Sequence, residues 1–266
     1  MVSVESYANA REAAAALTPT ARYLGGGTLL MRAVNYGDQS FDRLVRSPDP
    51  ALRMIQREGD GVVIGAGVRM VDVINHADTA FLSAAARGVG GPAVRNAATV
   101  GGNLLAPHPY GDFATALLAM EASVHMADGT AHPVEAFLAA RDSMPGLITH
   151  VRVPVSQASR LLFMKVSRVK PKGVSLLSIA ASVPRGGSRL SGVRLAFGAM
   201  GPTPLRAKAA EAALEGANLD EAGLAPALSV VNEGLAPADD ALASAWYRRE
   251  VAPVYLKRML LEARGW

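Results

Sequence analysis

Two short glycine clusters, Gly25-Gly26-Gly27-Thr28 and Thr99-Val100-Gly101-Gly102-Asn103, constrain this chain more than any other feature. The first follows a strand-like stretch, Ala21 to Leu24. The second closes a glycine-dense stretch from Gly88 to Gly102 with little helical character. Glycine has no Cβ, so it lets backbone N–H groups turn towards an anion and lets a ligand come close. Such loops suit the pyrophosphate of a dinucleotide, although each cluster read singly is also an ordinary turn. The common rival schemes fail. A Rossmann fingerprint needs GxGxxG between strand and helix. Gly65-Ala66-Gly67 runs into Val68-Arg69-Met70, and Leu30 takes the third-glycine place in the first cluster. No GxxxxGK[ST] occurs either. A dinucleotide here binds by another scheme.

The pattern around the clusters is mixed. Glu5 to Leu17 has helical composition up to the break at Thr18-Pro19, and Leu29 to Val34 begins a helical turn. Val62-Val63-Ile64 reads as a buried strand, and Met70 to His76 and Phe81 to Ala86 as short helices. Asp112 to Met120 is a helix with Asp112 as N-cap and Phe113, Ala116, Leu117 and Met120 on its apolar face. An acid there caps the helix or accepts hydrogen bonds from ribityl or ribose hydroxyls; the local sequence favours the cap. Asp128-Gly129 joins the strands Ser123 to Met126 and Thr130 to Val134 as a hairpin, and Leu147 to Val155 is a further strand. Beyond residue 158 three strands follow, Leu161 to Val166, Ser175 to Val183 and Val193 to Ala199, with a loop at Pro184 to Ser188 between the last two. Helices at Arg206 to Leu214, Leu224 to Asn232 and Ala241 to Arg264 complete the chain. A length of 266 residues favours two domains. The expected division is an α+β domain over residues 1–157 and a smaller sheet-plus-helices domain over 158–266.

Composition removes several function classes. The sequence has no cysteine, so this chain carries no disulfide, thiolate nucleophile, cysteine-ligated zinc or iron–sulfur cluster. His76, His108, His125, His132 and His150 form no HExxH pattern, and no metal site is expected. The net charge of +4 is spread along the chain and aromatics make up only 5%, so a nucleic-acid track is not supported. The basic run from Lys165 to Lys172 is short and reads as a solvated edge or an anion contact. No apolar run reaches the roughly 18 residues of a membrane span. Ala13 to Ala16 follows charged residues rather than forming a signal peptide, so a cytoplasmic protein is expected.

Val94-Arg95-Asn96-Ala97-Ala98-Thr99-Val100-Gly101-Gly102-Asn103-Leu104 resembles the RNxATIGGNL signature of the FAD-binding subunit of molybdenum hydroxylases. This family includes the medium subunit of carbon monoxide dehydrogenase and the FAD-binding part of xanthine dehydrogenase. Leu24 to Thr28 resembles its first loop, AGGTDL, and Ile64-Gly65-Ala66-Gly67-Val68 its IGAGVT strand. Gly201-Pro202-Thr203-Pro204-Leu205-Arg206-Ala207 resembles the APTPxRA turn of its C-terminal domain. The elements keep the family's order along nearly the whole chain.

The resemblance implies an α+β fold, with a PCMH-type (vanillyl-alcohol-oxidase) FAD-binding domain of two subdomains. A C-terminal domain of a three-stranded sheet and helices follows. It implies that Gly25, Gly26, Gly27, Thr28 and Leu29 cradle the pyrophosphate by backbone N–H groups, and that Thr99, Val100, Gly101, Gly102 and Asn103 complete the cradle. Asp112 then contacts the flavin, Val89 packs on the cofactor and Ile148 lies beside the isoalloxazine edge. Lys165 supplies a cation near the ring. Two departures stand out: Leu29 replaces the first loop's usual aspartate, and Lys172 stands where an acid is common. The implied function is an electron-relaying oxidoreductase subunit with no catalytic acid or base of its own. Its partners would be an iron–sulfur small subunit and a molybdopterin large subunit, in a heterotrimer or its dimer. Molybdopterin and [2Fe-2S] clusters would lie on those partners only. The alternatives are a stand-alone FAD-dependent reductase or oxidase acting on a small molecule, and a scaffold without cofactor.

Overall fold

The computed structural model describes residues 2–144, 146–155, 159–169, 173–184 and 189–262. The expected domain junction at 157/158, residues 185–188 of the expected hairpin loop, Lys172 and the last residues of the expected final helix lie outside them.

The chain opens with a strand, β1 (Ser3–Ser6), where helical composition was expected from Glu5. Helix α1 (Ala10–Ala15) starts only after Asn9, whose side chain accepts the Glu12 N–H and caps it. Then come β2 (Ala21–Tyr23), α2 (Leu30–Asn35) and β3 (Arg43–Arg46). The three strands form a small parallel sheet, β1-β3-β2. That ladder explains the correction, because β1 gains its partner some forty residues away and composition does not display it.

A larger unit follows: β4 (Ile55–Glu58), β5 (Gly61–Gly65), and helices α3 (Met70–Asn75), α4 (Ser83–Gly88), α5 (Pro92–Arg95), α6 (Val100–Leu104) and α7 (Asp112–Ala119). It continues through β6 (Ser123–Met126), β7 (Ala131–Pro133), α8 (Val134–Ala140) and β8 (Ile148–Pro154). The strands make one antiparallel sheet, β4-β5-β8-β6-β7. Two short helices, α5 and α6, occupy the glycine-dense stretch that was expected to have little helical character. Their termini explain them: Pro92 starts α5 with a preset φ, and the Thr99 hydroxyl accepts the Gly102 N–H at the start of α6. Capping here outweighs the poor propensity of Gly101 and Gly102.

The remaining elements are β9 (Ser159–Ser167), β10 (Ser175–Pro184), β11 (Arg194–Gly198), β12 (Leu205–Arg206), α9 (Lys208–Leu214), α10 (Glu221–Val230) and α11 (Ala245–Glu262). The three long strands read from sequence pair antiparallel, and two-residue β12 adds an edge in the order β12-β11-β10-β9. The helices cover this sheet around a core that includes Phe197, Leu214, Leu224 and Leu256.

Helix α7 ties the two larger units together. All eight of its residues are buried, including the side opposite the apolar face read from its sequence. It packs on β10 and β11 of the C-terminal sheet, and its side chains share one continuous core with Val124 and Val151 of the five-stranded sheet and Ala180 and Ala196 of the C-terminal sheet. Covering on both sides explains why the helix is apolar nearly all round. Burying each of Phe113, Leu117 and Leu118 stabilises the fold by about 1.5–3 kcal/mol.

Polar ties cross the same seam. The Glu121 carboxylate accepts 2.9 Å bonds from both Arg194 and Arg206. Asp240 lies 2.9 Å from His108 Nε2 and accepts from Leu242 N, Ala243 N and fully buried Arg248. Burial alone would raise the Asp240 pKa, but bonds from His108, Ala243, Leu242 and Arg248 outweigh it and hold the carboxyl well below the usual range. A carboxyl depressed in the folded state contributes stability above about pH 4, and loses it as pH falls through the carboxylate range. Asp240→Asn is therefore expected to lower stability at neutral pH and to flatten its decline on acidification to about pH 3. Urea melts across that range check this; an acid sensitivity identical to wild type would count against it.

Candidate functional site

The first glycine loop leaves β2 where Leu24 N–H bonds Val45 O at 2.7 Å, then turns across Gly25 to Leu29 into α2. Gly27 takes φ +71°, a left-handed conformation that glycine adopts at no steric cost. Among the described residues, the N–H groups of Gly25, Gly26, Gly27, Thr28, Leu29 and Leu30 donate to no protein acceptor. A run of free donors is what a phosphate group needs. Leu29, which replaces the usual aspartate, keeps its N–H in this run.

The second loop lies directly against the first. A Cβ on Gly26 would stand 1.9 Å from Ala97 O, and one on Gly25 would stand 3.0 Å from Thr99 Oγ1. At Gly101 the added atom would meet Ala66 Cβ at 3.0 Å, so this glycine lets α6 press onto the strand-end segment beyond β5. The donors of this loop are not free. Val100 N–H bonds Val68 O, Gly101 N–H bonds Ala66 O, Asn103 N–H bonds Thr99 O, and Gly102 N–H takes the longer 3.2 Å bond to the Thr99 hydroxyl. Residues 100–103 spend those groups on closing α6 and docking it. The loop instead offers a close-packed glycine surface and the Asn103 side chain. Asn103 Oδ1 accepts the Ala114 N–H at 2.9 Å, which fixes the amide's orientation, and Nδ2 has no protein acceptor among the described residues.

Asp112 is not the cap of α7. Gly111, at φ +99°, holds the N-cap position, and Asp112 is the first helical residue. Its Oδ1 accepts from Ser175 at 2.5 Å and its Oδ2 from Lys165 Nζ at 2.8 Å. Lys165 Nζ also donates to Gly88 O at 2.7 Å, beside Val89. A largely covered cation, its side chain 12% exposed, is thus held between a carboxylate and the end of α4, where Val89 is buried. Ile148 sits in β8 with its side chain in the main core.

These contacts string most of the expected residues into one continuous arrangement. Gly25 and Gly26 touch the Ala97–Thr99 segment, Asn103 anchors α7, Asp112 meets Lys165, and Lys165 meets the Gly88–Val89 turn. Ile148 shares the core with Val89 and makes no polar contact within this set. Nothing in the sequence assigned Ser175 or the Gly88 carbonyl a place in the site. No local signal marks them, because Ser175 lies 63 residues from Asp112 and Gly88 lies 77 from Lys165.

Comparison with known proteins bears on this arrangement. Residues 1–156 match the family described as the FAD binding domain in molybdopterin dehydrogenase, and residues 163–263 match the CO dehydrogenase flavoprotein C-terminal domain. A glyceraldehyde dehydrogenase medium chain from Sulfolobus acidocaldarius is 27% identical over 79% of this chain and 79% of its own length. A putative xanthine dehydrogenase FAD-binding subunit from Escherichia coli K12 is 26% identical over 92% of this chain and 89% of its own. The solved structure of a carbon monoxide dehydrogenase from Hydrogenophaga pseudoflava superposes with a TM-score of 0.91 at 27% identity, covering 99% of this chain and 97% of that one. Among the described residues no helix is long and apolar enough to cross a membrane.

Proposed function

Since the chain belongs to the family of FAD binding domains in molybdopterin dehydrogenases, we propose that it binds FAD across the two glycine loops and relays electrons within a molybdenum oxidoreductase. The run of unbonded N–H groups from Gly25 to Leu30 carries this reading, because it meets an anionic diphosphate without displacing any protein hydrogen bond. Thr28 and Leu29 extend that cradle, and Thr99 to Asn103 form its opposite wall with the Asn103 amide as a side-chain donor. Asp112 and Lys165 are the polar pair at the flavin end, with Val89 and Ile148 as its apolar neighbours. FAD supplies a centre that accepts electrons singly and releases them in pairs, which suits exchange between iron–sulfur clusters and a two-electron acceptor.

The protein's own contribution is position and charge. Lys165 holds a fixed positive charge near the ring end, and Asp112 and the Gly88 carbonyl hold Lys165 in place. No proton-transfer step is assigned to any side chain. The sequence has no cysteine, so thiolate ligands for an iron–sulfur cluster must come from a partner. An iron–sulfur small subunit and a molybdopterin large subunit complete the enzyme in this reading, and the residues divide at 157/158 into an FAD-binding and a C-terminal domain. Gentle purification from the native host tests it. The expected product is a complex that contains iron and molybdenum and releases FAD on denaturation. A complex with iron and molybdenum but no released FAD would sink the FAD assignment, and a yellow monomer reducing a small molecule unaided would favour a stand-alone reductase.

A further inference from the structure

Arg141 is the C-cap residue of α8 and was not singled out by any motif. Its side chain is only 7% exposed, yet it has no well-placed acid: Asp142 Oδ1 lies 3.6 Å from Nε on a side chain that is 95% exposed. Nε itself is buried without a hydrogen-bond partner among the described residues. What the guanidinium does bond is backbone. Nη1 donates to Ala106 O at 2.8 Å and to Leu104 O at 3.2 Å. Burial pushes this group's pKa down, the mark of a cation kept where desolvation opposes it.

The two carbonyls explain why a buried charge is tolerated. Leu104 ends α6 and Ala106 follows it at the start of the Pro107-His108-Pro109 bend, so these carbonyls lie where the helix's own ladder has run out. With only five residues, α6 cannot hold its shape unaided. Its front end is closed by the Thr99 cap, and its back end is closed by Arg141. A cation at a helix C-terminus is also electrostatically favourable, and the guanidinium stands at the end of α6.

We infer that Arg141 is a positioning residue for FAD binding: by closing the end of α6 it sets the Gly101-Gly102-Asn103 wall and the bend that leads to Asp112. The inference rests on the proposed FAD-binding reading. Arg141 lies 35 and 37 residues from the carbonyls it holds and, among the described residues, makes no hydrogen bond to a glycine of either loop, so its effect reaches the cofactor through α6.

The test uses the full chain and FAD titrations followed by flavin fluorescence, at a temperature well below melting. Arg141→Met keeps the bulk and removes the charge and donors; Arg141→Lys keeps the charge and reaches one carbonyl. The expected result is a Kd for FAD raised at least about tenfold in Arg141→Met, with Arg141→Lys in between at a few-fold. A purely structural role would lower the melting temperature of the FAD-free chain and leave Kd unchanged, with no rescue by lysine. Arg141→Met binding FAD within about twofold of wild type would overturn the inference. Should that variant not fold, Arg141→Lys decides: a wild-type Kd overturns the inference, and a raised one supports it. Failure of the wild-type chain to bind FAD is a separate result, and it overturns the FAD reading itself.

Discussion

Gly26→Ala is expected to cost the protein its FAD. The new methyl would lie 1.9 Å from Ala97 O, 2.7 Å from Ala97 C and 3.0 Å from Ala98 Cα, all backbone atoms that cannot swing aside. One loop must retreat from the other, and the free donors from Gly25 to Leu30 then lose their alignment with the opposite wall. A rise in Kd of about a hundredfold or more, near 2.8 kcal/mol, is expected. Flavin absorbance of the purified chain and titration with FAD measure it. Gly102→Val is the informative contrast. A Cβ at Gly102 meets only its own cap, Thr99 Oγ1, at 3.0 Å, so the fold should survive while the exposed glycine surface is blocked. A smaller loss, about tenfold, with a near-normal melting curve is expected there. Full FAD content in Gly26→Ala would show that the loops do not form the cradle.

Lys165→Met is expected to produce the largest loss of stability among changes at this site. Lys165 and Asp112 have side chains only 12% and 9% exposed, and removing the cation leaves a buried carboxylate with Ser175 as its remaining partner. Breaking such a pair costs about 3–5 kcal/mol. At about 2–4 °C per kcal/mol for a chain of this size, the melting temperature should fall by on the order of 10 °C. The double variant Lys165→Met/Asp112→Asn removes the stranded charge as well, and should recover at least about 1 kcal/mol relative to the sum of the single changes. Thermal melts of the three variants test this, and additive effects would mean that the two groups do not act as a pair. FAD content measured alongside separates the ring-end role from the structural one. The pair reading predicts that the double variant regains stability without regaining affinity.

Much of the architecture was legible in the residues. Glycine spacing, the Asp128-Gly129 hairpin signal and the short apolar strand runs are local signals, and local signals report local structure. The strands β5, β6, β8, β9, β10 and β11 and the helices α3, α7 and α9 fall where the pattern places them. Local signals failed where a distant partner or a cap decided the outcome. β1 is a strand because β3 pairs with it, and α5 and α6 are helical because Pro92 and the Thr99 hydroxyl close their termini.

The glycine loops divide along the same line. The sequence by itself determined that two glycine clusters occur in this order and that neither follows the Rossmann or P-loop scheme, since both conclusions depend only on spacing. Only the tertiary structure decided how each loop is used. Whether a backbone N–H is free depends on which carbonyl folds back onto it. The Gly25–Leu30 donors meet none, whereas those of residues 100–103 are taken by Val68, Ala66 and Thr99. The same applies to Asp112, which reads locally as a cap and becomes the partner of Lys165 and Ser175. It applies equally to Arg141, whose partners lie more than thirty residues away. Hydrogen bonds are satisfied in three dimensions, so their assignment waits on the packing of α7 between its two sheets.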